Sequence, residues 1–398
     1  MSISDFEYKE IDVERVRAET RGCRDLIHFN NAGASLMPAP VADYLCNFLR
    51  EEEMKGGYET RSLRNVDIES FYQSVSLLLN AKPKEIAFVE NATRAWDMVF
   101  YALPLGAGDK ILTTVSEYGS NLIAYLHRAK QTGAELVIVP NDKNGQIDVN
   151  ALEQNIDEKT KLISISHIPT GGGLINPAHD VGRIAKKYSI PFLLDACQSV
   201  GQIHLDVKAI GCDFLSATGR KYLRGPRGTG FLYVREDWIE RLEPPLLDQF
   251  AAELIDSGTY EVRTDAKRFE NWERYFAGQA ALGKAVDYAM ELGLKTIEQR
   301  VSDLAAYLRA ELQETGLVTL TDQGAKKCGL VTFEHLRLNA EQVKTQLSNH
   351  KINVSTSSGS GMKLSYLERG LDGLVRASVH YYNTEDEINK FIEVLRSL

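Results

Sequence analysis

Residues 191–234 read PFLLDACQSVGQIHLDVKAIGCDFLSATGRKYLRGPRGTGFLYV and contain three short apolar runs. The runs are Pro191–Asp195, Asp213–Ala217 and Gly230–Val234. Each is bounded by polar or turn residues, which is the pattern of a buried strand. Polar side chains follow the first two runs directly, in the segments Asp195–Gln198 and Thr218–Lys221. This stretch therefore predicts buried strands that end in chemically functional residues.

The preceding part of the chain repeats the same alternation. Four more apolar runs are expected to be strands: Glu85–Val89, Lys110–Val115, Glu135–Pro140 and Lys161–Ser166. Helix-like stretches lie between most of the runs, at Ala92–Ala102, Ser120–Thr132 and His179–Lys187. Such alternation is typical of an α/β fold, with a mostly parallel sheet covered by helices.

The pattern changes after about Val234. A long helix is expected over Asn271–Leu292, and a smaller unit follows it. In that unit we expect helices at Ser302–Glu314, Ala340–Asn349 and Glu385–Leu398 and a strand at Gly329–Glu334. The sequence thus predicts an N-terminal arm (1–30) that packs on the small domain, a large domain (31–270), a connecting helix (271–294) and a small α+β C-terminal domain (295–398).

Composition excludes several classes of protein. With 398 residues, 43% of them hydrophobic, the chain is long enough for two domains. Its formal net charge of -9 argues against a nucleic-acid-binding surface. The five cysteines form no C-x-x-C pair, so no zinc site and no disulfide framework are expected. No signal peptide, transit peptide or membrane span is recognisable, and we expect a cytoplasmic protein without membrane or nucleic-acid partners.

In an open α/β sheet, ligands bind beyond the carboxyl ends of the strands. Five polar segments follow predicted strands in this chain, and we expect them to meet at one edge of the sheet. They are Asn91–Thr93, Ser116–Tyr118, His167–Thr170, Asp195–Gln198 and Thr218–Lys221.

Lys221 is the candidate nucleophile of this edge. Burial and cationic neighbours lower the pKa of a lysine and permit Schiff-base formation, and Arg220 and Arg224 are candidate neighbours. A surface lysine in a basic loop is the alternative. Asp195 can pair with a protonated pyridine nitrogen, or it can simply cap a helix. Gln198 can donate to a phenolate oxygen, or it is an ordinary polar residue of a first helical turn.

Further residues supply donors for anions. Ala92 and Thr93 begin a predicted helix, whose free N–H groups favour a phosphate, although this segment alone favours a helix cap without a ligand as the role of Thr93. Thr218 and Arg220 can add side-chain donors. Tyr118 can stack on a ring or pack in a core. In the small domain, Arg376 can bind a carboxylate or form an ion pair.

The ordered motifs resemble the class V aminotransferase family of pyridoxal 5'-phosphate (PLP) enzymes, which have the transferase fold of type I. The resemblance runs from about Leu26 to the C-terminus. It lies in NNAG (30–33), NATRAWD (91–97), SEYGSN (116–121), SHIPTGGGLINP (166–177), DACQSVGQ (195–202), ATGRKYLRGPRGTGFLYV (217–234) and RASVHYYNTEDEI (376–388).

The resemblance implies a role for each matched residue. Lys221 matches the Schiff-base lysine, Asp195 the partner of the pyridinium and Gln198 the donor to the phenolate oxygen. The implied cofactor site also contains Ala92, Thr93, Tyr118, Thr170, Thr218 and Arg220, with Thr93, Thr218 and Arg220 at phosphate contacts. The implied substrate site contains Arg376, which binds the carboxylate, and the backbone of Ala32 and Gly33. No metal is implied.

One departure from the family affects the expected reaction. Desulfurases of the family carry a mobile-loop cysteine that accepts sulfur as a persulfide, whereas residues 354–370 here read VSTSSGSGMKLSYLERG. We therefore expect β-elimination from a small cysteine-derived amino acid, a C–S lyase reaction. The resemblance also implies a homodimer. Transamination to a 2-oxo acid is the alternative; epimerisation and a non-catalytic PLP-binding module are less favoured.

Overall fold

The computed structural model describes residues 10–398. Its strands are β1 (Ile27–His28), β2 (Ile86–Val89), β3 (Lys110–Thr114), β4 (Glu135–Val139), β5 (Thr160–Ser166), β6 (Phe192–Asp195), β7 (Phe214–Thr218), β8 (Gly230–Val234), β9 (Ala252–Leu254), β10 (Tyr260–Val262), β11 (Val318–Leu320), β12 (Leu330–His335), β13 (Ile352–Asn353), β14 (Ser355–Ser358) and β15 (Gly373–Ser378).

The helices cover both sheets. They are α1 (Val13–Ala18), α2 (Ala39–Lys55), α3 (Gly57–Leu63), α4 (Asn65–Leu79), α5 (Ala92–Phe100), α6 (Gly119–Thr132), α7 (Val149–Gln154), α8 (Ala178–Tyr188), α9 (Val207–Ile210), α10 (Glu236–Ile239), α11 (Phe276–Leu292), α12 (Leu294–Glu314), α13 (Ala340–Asn349), α14 (Lys363–Arg369) and α15 (Glu385–Arg396). Short 3-10 helices lie at Arg21–Arg24, Pro83–Glu85 and Ala266–Phe269.

The large sheet has seven strands in the order β2-β8-β7-β6-β5-β3-β4. The pairs from β7 to β4 are parallel, whereas β8 is antiparallel to both β7 and β2. Since β2 and β7 both oppose β8, β2 runs in the direction of the parallel strands. The carboxyl ends of β2, β3, β5, β6 and β7 therefore lie at one edge. The expected α/β fold with a mostly parallel sheet is confirmed.

The seven predicted strands of this sheet are all present, with ends that differ by one residue at most. They could be recognised because parallel strands are buried on both faces and read as continuous apolar runs. Two large clusters of buried apolar side chains enclose the sheet. Together the two clusters fix the position of the carboxyl edge of the sheet.

The second sheet has four antiparallel strands in the order β11-β12-β15-β14, and Arg376 of β15 lies opposite Thr332 and Ser355. A separate apolar cluster joins it to α12, α13 and α15. The sequence predicted β12 alone of these strands. The division of the chain at about residue 295 stays a prediction.

Two predicted helices begin five or more residues away from the expected position. The helix expected from Asn271 begins at Phe276, because the preceding backbone turns to donate from Trp272 N–H to Asp248 Oδ2 at 2.6 Å. The helix expected from Ser302 begins at Leu294, directly after Gly293. Gly293 has φ +87°, which ends α11 and lets a new helix start.

The N-terminal segment contacts the small sheet. In its described part, β1 pairs in parallel with β13, and Val16 belongs to the apolar cluster of the second sheet. Arg17 donates to Glu387 Oε1 at 2.8 Å. Residues 1–9 of the predicted arm lie outside the described residues. Within residues 10–398, no helix is long and apolar enough to cross a membrane.

Arg224 joins three parts of the chain. The residue is only 1% exposed. Its guanidinium donates to the Leu36 carbonyl at 2.7 Å, to Thr20 Oγ1 at 2.5 Å and to Tyr381 Oη at 2.9 Å. It also lies 4.5 Å from the ring centroid of Tyr382. Because these partners come from the N-terminal segment and the small-sheet region, Arg224 ties both to the loop that contains Lys221.

We predict that Arg224→Ala lowers the free energy of unfolding by about 3 kcal/mol, because it leaves buried polar groups unpaired and empties a packed site. Urea denaturation followed by tryptophan fluorescence measures the change. The control is Arg183→Ala, since the Arg183 side chain is 64% exposed; its cost should stay below about 0.5 kcal/mol. Equal effects of the two variants would contradict this role of Arg224.

Candidate active site

A cavity of about 320 Å³ lies at the carboxyl edge of the large sheet. Nine residues predicted from the sequence line it: Ala92, Thr93, Tyr118, Thr170, Asp195, Gln198, Thr218, Arg220 and Lys221. They come from the ends of β2, β3, β5, β6 and β7, so the expected meeting of these segments at one edge is observed. Their individual roles stay predictions.

Lys221 lies in the turn after β7 and is 9% exposed. Burial lowers the pKa of its ammonium below the usual value; the positive charge of Arg220 adds to this shift and the carboxylate of Asp195 opposes it. The turn is held against Gly201, where φ is +90° and a Cβ would lie 2.4 Å from the carbonyl carbon of Tyr222. The backbone around Lys221 therefore has little freedom to move.

Arg224 does not contribute to this environment, contrary to the sequence-based expectation. Its side chain donates to Thr20, Leu36 and Tyr381, on the far side of the turn. The Arg224 N–H donates to the Lys221 carbonyl at 3.0 Å, which closes a turn between these two residues, and Arg224 itself has φ +59°. Arg220 alone of the two predicted cationic neighbours lines the cavity.

Asp195 is the last residue of β6 and is 7% exposed. Its Oδ1 accepts from the Cys197 N–H at 2.9 Å, and its Oδ2 accepts from Asn121 Nδ2 at 3.1 Å. The register places it between Ser166 of β5 and Ser216 of β7. A buried carboxylate is thus held on the floor of the cavity by neutral donors.

Gln198 and Thr170 form one hydrogen-bonded group. Gln198 Nε2 donates to the Ala32 carbonyl at 3.1 Å and to Thr170 Oγ1 at 3.2 Å, while Gln198 Oε1 is buried without a partner in the described chain. Arg376 Nη1 donates to Thr170 Oγ1 at 2.9 Å and to its carbonyl at 2.8 Å. Thr170 therefore links the floor of the cavity to the small sheet.

The opposite end of the cavity is suited to an anion. Asn91 caps α5 by accepting from the Arg94 N–H, and the helix leaves the N–H groups of Ala92 and Thr93 without intrahelical acceptors. Arg220 Nη1 donates to Thr218 Oγ1 at 3.1 Å beside them. Free N–H groups, hydroxyls and a guanidinium are the donors that a phosphate requires.

The three predicted substrate residues do not line the cavity. Ala32 and Arg376 are buried and contact lining residues: the Ala32 carbonyl accepts from Gln198, and Arg376 donates to Thr170. Gly33 is half-buried in the turn after Asn30. Arg376 Nε has no partner within residues 10–398. An unpaired buried N–H on a guanidinium is a donor available to a carboxylate.

Sequence reasoning missed several residues of the site. Cys197 and Arg227 line the cavity. Both lie in motifs that contain predicted site residues, at 195–202 and 217–234. Burial raises the pKa of the Cys197 thiol to about 12. Asn121 donates to both Asp195 and Glu117, and neither Asn121 nor Glu117 was predicted. Their spacing of four residues near the start of a helix could have indicated that they are in contact.

These residues fit PLP. A buried lysine with a lowered pKa lines the same cavity as a carboxylate that can face the ring nitrogen and a set of donors that can bind the phosphate. Gln198 Oε1 is buried without a partner among residues 10–398, so a polar group of a ligand can complete its hydrogen bonding. The cavity thus presents complementary groups to the ring, the aldehyde and the phosphate of the cofactor.

Comparisons with known proteins agree with this geometry. A family model described as aminotransferase class-V matches residues 27–391. A probable cysteine desulfurase of Pyrococcus abyssi is 30% identical over 392 residues, which cover 97% of each protein. The apo cysteine desulfurase of Thermococcus onnurineus NA1 is 29% identical, with a TM-score of 0.89 over 96% of this chain and 97% of that one.

A more distant solved structure shares the fold. The cystine C–S lyase C-DES, in complex with its reaction product cysteine persulfide, has a TM-score of 0.86 at 22% identity and covers 95% of this chain and 99% of its own. Since the family model and the Pyrococcus relative both match nearly the whole sequence, the chain belongs to the aminotransferase class-V family of PLP-dependent enzymes.

Proposed function

We propose that this enzyme is a C–S lyase that releases sulfur from a small cysteine-derived amino acid without forming a persulfide on one of its own cysteines. The observation that carries the proposal is the cavity that joins a buried Lys221 of lowered pKa to Asp195 and an anion-binding end. The names of the relatives, cysteine desulfurase and cystine C–S lyase, support cleavage of a carbon–sulfur bond.

Each residue has a task in this proposal. Thr93, Thr218 and Arg220 hold the phosphate of PLP, Asp195 pairs with its ring nitrogen and Lys221 binds its aldehyde carbon. Bound PLP supplies an electron sink for the pair of electrons released when the substrate Cα–H bond breaks.

Arg376 orients the substrate through its carboxylate. Once the substrate amine has replaced Lys221 on PLP, the freed Lys221 amine can take the Cα proton as general base. A lowered pKa suits this task, because the amine must be neutral to accept a proton at neutral pH. Cleavage of the Cβ–S bond then releases hydrosulfide from cysteine, a thiol from a cysteine conjugate or cysteine persulfide from cystine, and water converts the remaining carbon skeleton to pyruvate and ammonia.

The cysteines support a reaction without a protein persulfide. Cys197 alone of the five lines the cavity, and with a pKa of about 12 its thiol is protonated and weakly nucleophilic at neutral pH. Cys212 and Cys328 are buried elsewhere, and burial raises the pKa of both thiols. The segment 354–370 offers serines and glycines in place of a cysteine.

The segment 354–370 is also tied to the rest of the protein. The Gly119 N–H donates to the Gly361 carbonyl at 2.9 Å, and a Cβ on Gly119 would lie 2.5 Å from the Ser360 carbonyl oxygen. Met362, 2% exposed, packs against Tyr366 and Leu374. These contacts suit a wall of the site better than a loop that carries sulfur away.

We predict that the PLP-loaded protein converts L-cysteine, cystine or a cysteine conjugate to pyruvate, ammonia and a sulfur product in equal amounts. Turnover should persist within about threefold in Cys197→Ser, since the neutral thiol takes no part, and mass spectrometry should find no persulfide on any cysteine. Lys221→Ala should lose turnover by about 10⁴-fold, whereas Lys186→Ala, at an exposed position, should retain it.

Two results would contradict the proposal. A persulfide on Cys197 together with loss of turnover in Cys197→Ser would indicate a desulfurase that uses this thiol. Conversion of the bound cofactor to its pyridoxamine form by an amino acid, reversed by a 2-oxo acid and without sulfur release, would indicate the aminotransferase alternative.

We further propose that the enzyme is a homodimer. Four large apolar side chains in the α2–α4 region are strongly exposed: Met54 (79%), Tyr58 (66%), Leu63 (65%) and Val66 (81%). Apolar residues concentrated in this way favour a surface covered by another protein. A second copy of the chain is the occupant that the family resemblance implies.

We predict that light scattering gives twice the mass of one chain, and that Val66→Glu shifts the population towards monomer because it places a charge in the covered surface. Leu367→Glu is the matched control, since Leu367 is 66% exposed on α14, away from this region. A monomeric unaltered protein at micromolar concentration would refute the homodimer.

A further inference from the structure

Glu117 is a buried carboxylate at the entrance of α6, just behind the cavity. It is 2% exposed and lies outside the set of residues that line the cavity. Its two oxygens accept five hydrogen bonds, from Thr113 Oγ1 (3.0 Å), Tyr118 N (2.8 Å), Asn121 Nδ2 (2.9 Å), Ser166 N (3.1 Å) and Ser166 Oγ (2.6 Å). Neutral donors alone therefore hold this carboxylate.

The nature of the donors favours the ionised form of Glu117. The N–H groups of Tyr118 and Ser166 and the amide nitrogen of Asn121 can only donate, and they reach both carboxylate oxygens. Burial raises the pKa of Glu117, and the nearby charge of Asp195 adds to this, while the hydrogen bonds from Ser166 and Asn121 oppose it. Five donated hydrogen bonds to one side chain stabilise a negative charge on it.

Asn121 connects Glu117 to Asp195. Its single amide nitrogen donates to Glu117 Oε1 at 2.9 Å and to Asp195 Oδ2 at 3.1 Å. Both hydrogens of that nitrogen are thereby used, and the plane of the amide is set by the two carboxylates. Ser166, which binds Glu117, is also the register partner of Asp195 on the neighbouring strand. Two independent contacts thus tie Glu117 to the position of Asp195.

We propose that Glu117 is a positioning residue that, through Asn121, sets the orientation of Asp195 and strengthens its pairing with the ring nitrogen of PLP. The inference rests on the proposed role of Asp195. A second negative charge behind Asp195 favours a proton on the group that Asp195 faces, and the shared amide prevents Asp195 from rotating away. The cation–carboxylate contact at the ring nitrogen is thereby preorganised.

The test measures the cofactor, not turnover. Holoenzyme is prepared with PLP labelled with ¹⁵N in its ring, and the ¹⁵N chemical shift reports the proton on that nitrogen. Glu117→Gln keeps the shape but removes the charge, and Asn121→Ala breaks the link while leaving Glu117 in place. We expect both variants to move the shift towards the unprotonated value and to weaken PLP binding about tenfold, as removal of a charged hydrogen bond does.

Glu270→Gln is the matched control. Glu270 is also a fully buried glutamate that accepts from a tyrosine hydroxyl and a backbone N–H, at Tyr72 and Phe88, but it lies outside the cavity lining. The Glu270→Gln variant should leave the ¹⁵N shift and the dissociation constant of PLP unchanged. A general loosening of the protein would affect both glutamate variants alike and would overturn the proposal.

Asp195→Asn separates this inference from the proposed function. If Asp195 faces the ring nitrogen, Asp195→Asn changes the shift, and adding Glu117→Gln to it changes PLP binding by less than twofold further. If Asp195→Asn changes the shift while Glu117→Gln and Asn121→Ala do not, the role of Glu117 is wrong and that of Asp195 stands. If Asp195→Asn changes nothing, the assignment of Asp195 itself is wrong.

Discussion

The cavity at the edge of the large sheet places a lysine amine and a carboxylate together in one buried, low-dielectric space, and the rest of the site follows from this constraint. Charge is costly to bury, so the protein lowers the pKa of Lys221 and surrounds Asp195 with neutral donors. Arg220 affects both the lysine and the phosphate-binding part of the cavity, since it disfavours a charge on Lys221 and lies beside the donors for a phosphate. A cofactor that carries an aldehyde, a basic ring nitrogen and a phosphate matches these three features.

The fold provides this arrangement because five strands point the same way. Their ends deliver short polar segments to one edge, while the apolar strands behind them are fully buried and hold the ends in register. The small sheet adds Arg376 through Thr170, and Arg224 fastens the turn after Lys221 to the N-terminal segment and to Tyr381. The site is therefore assembled from both sheets, although the large sheet supplies its lining.

The amino-acid sequence was enough to predict the large sheet and nine residues of the cavity lining, because buried parallel strands leave a clear apolar pattern and the polar residues follow them directly. Other features depend on tertiary contacts. Arg220 lines the cavity and Arg224 does not, and the turn between Lys221 and Arg224, with its positive φ at Arg224, is indicated by no sequence pattern. The four-residue spacing of Glu117 and Asn121 is common in helices, and it gains meaning only when Asp195 lies beside it. The strands next to Arg376 are short and mixed in polarity, so their pairing is visible only in the structure.

The most direct measurement locates the covalent bond between the protein and PLP. Cofactor-loaded protein is treated with sodium borohydride, which makes that bond permanent, and its peptides are then analysed by mass spectrometry. The account predicts one phosphopyridoxyl group per chain, on the peptide that contains Lys221. A label on another lysine, or a protein that retains no label after reduction, would contradict it.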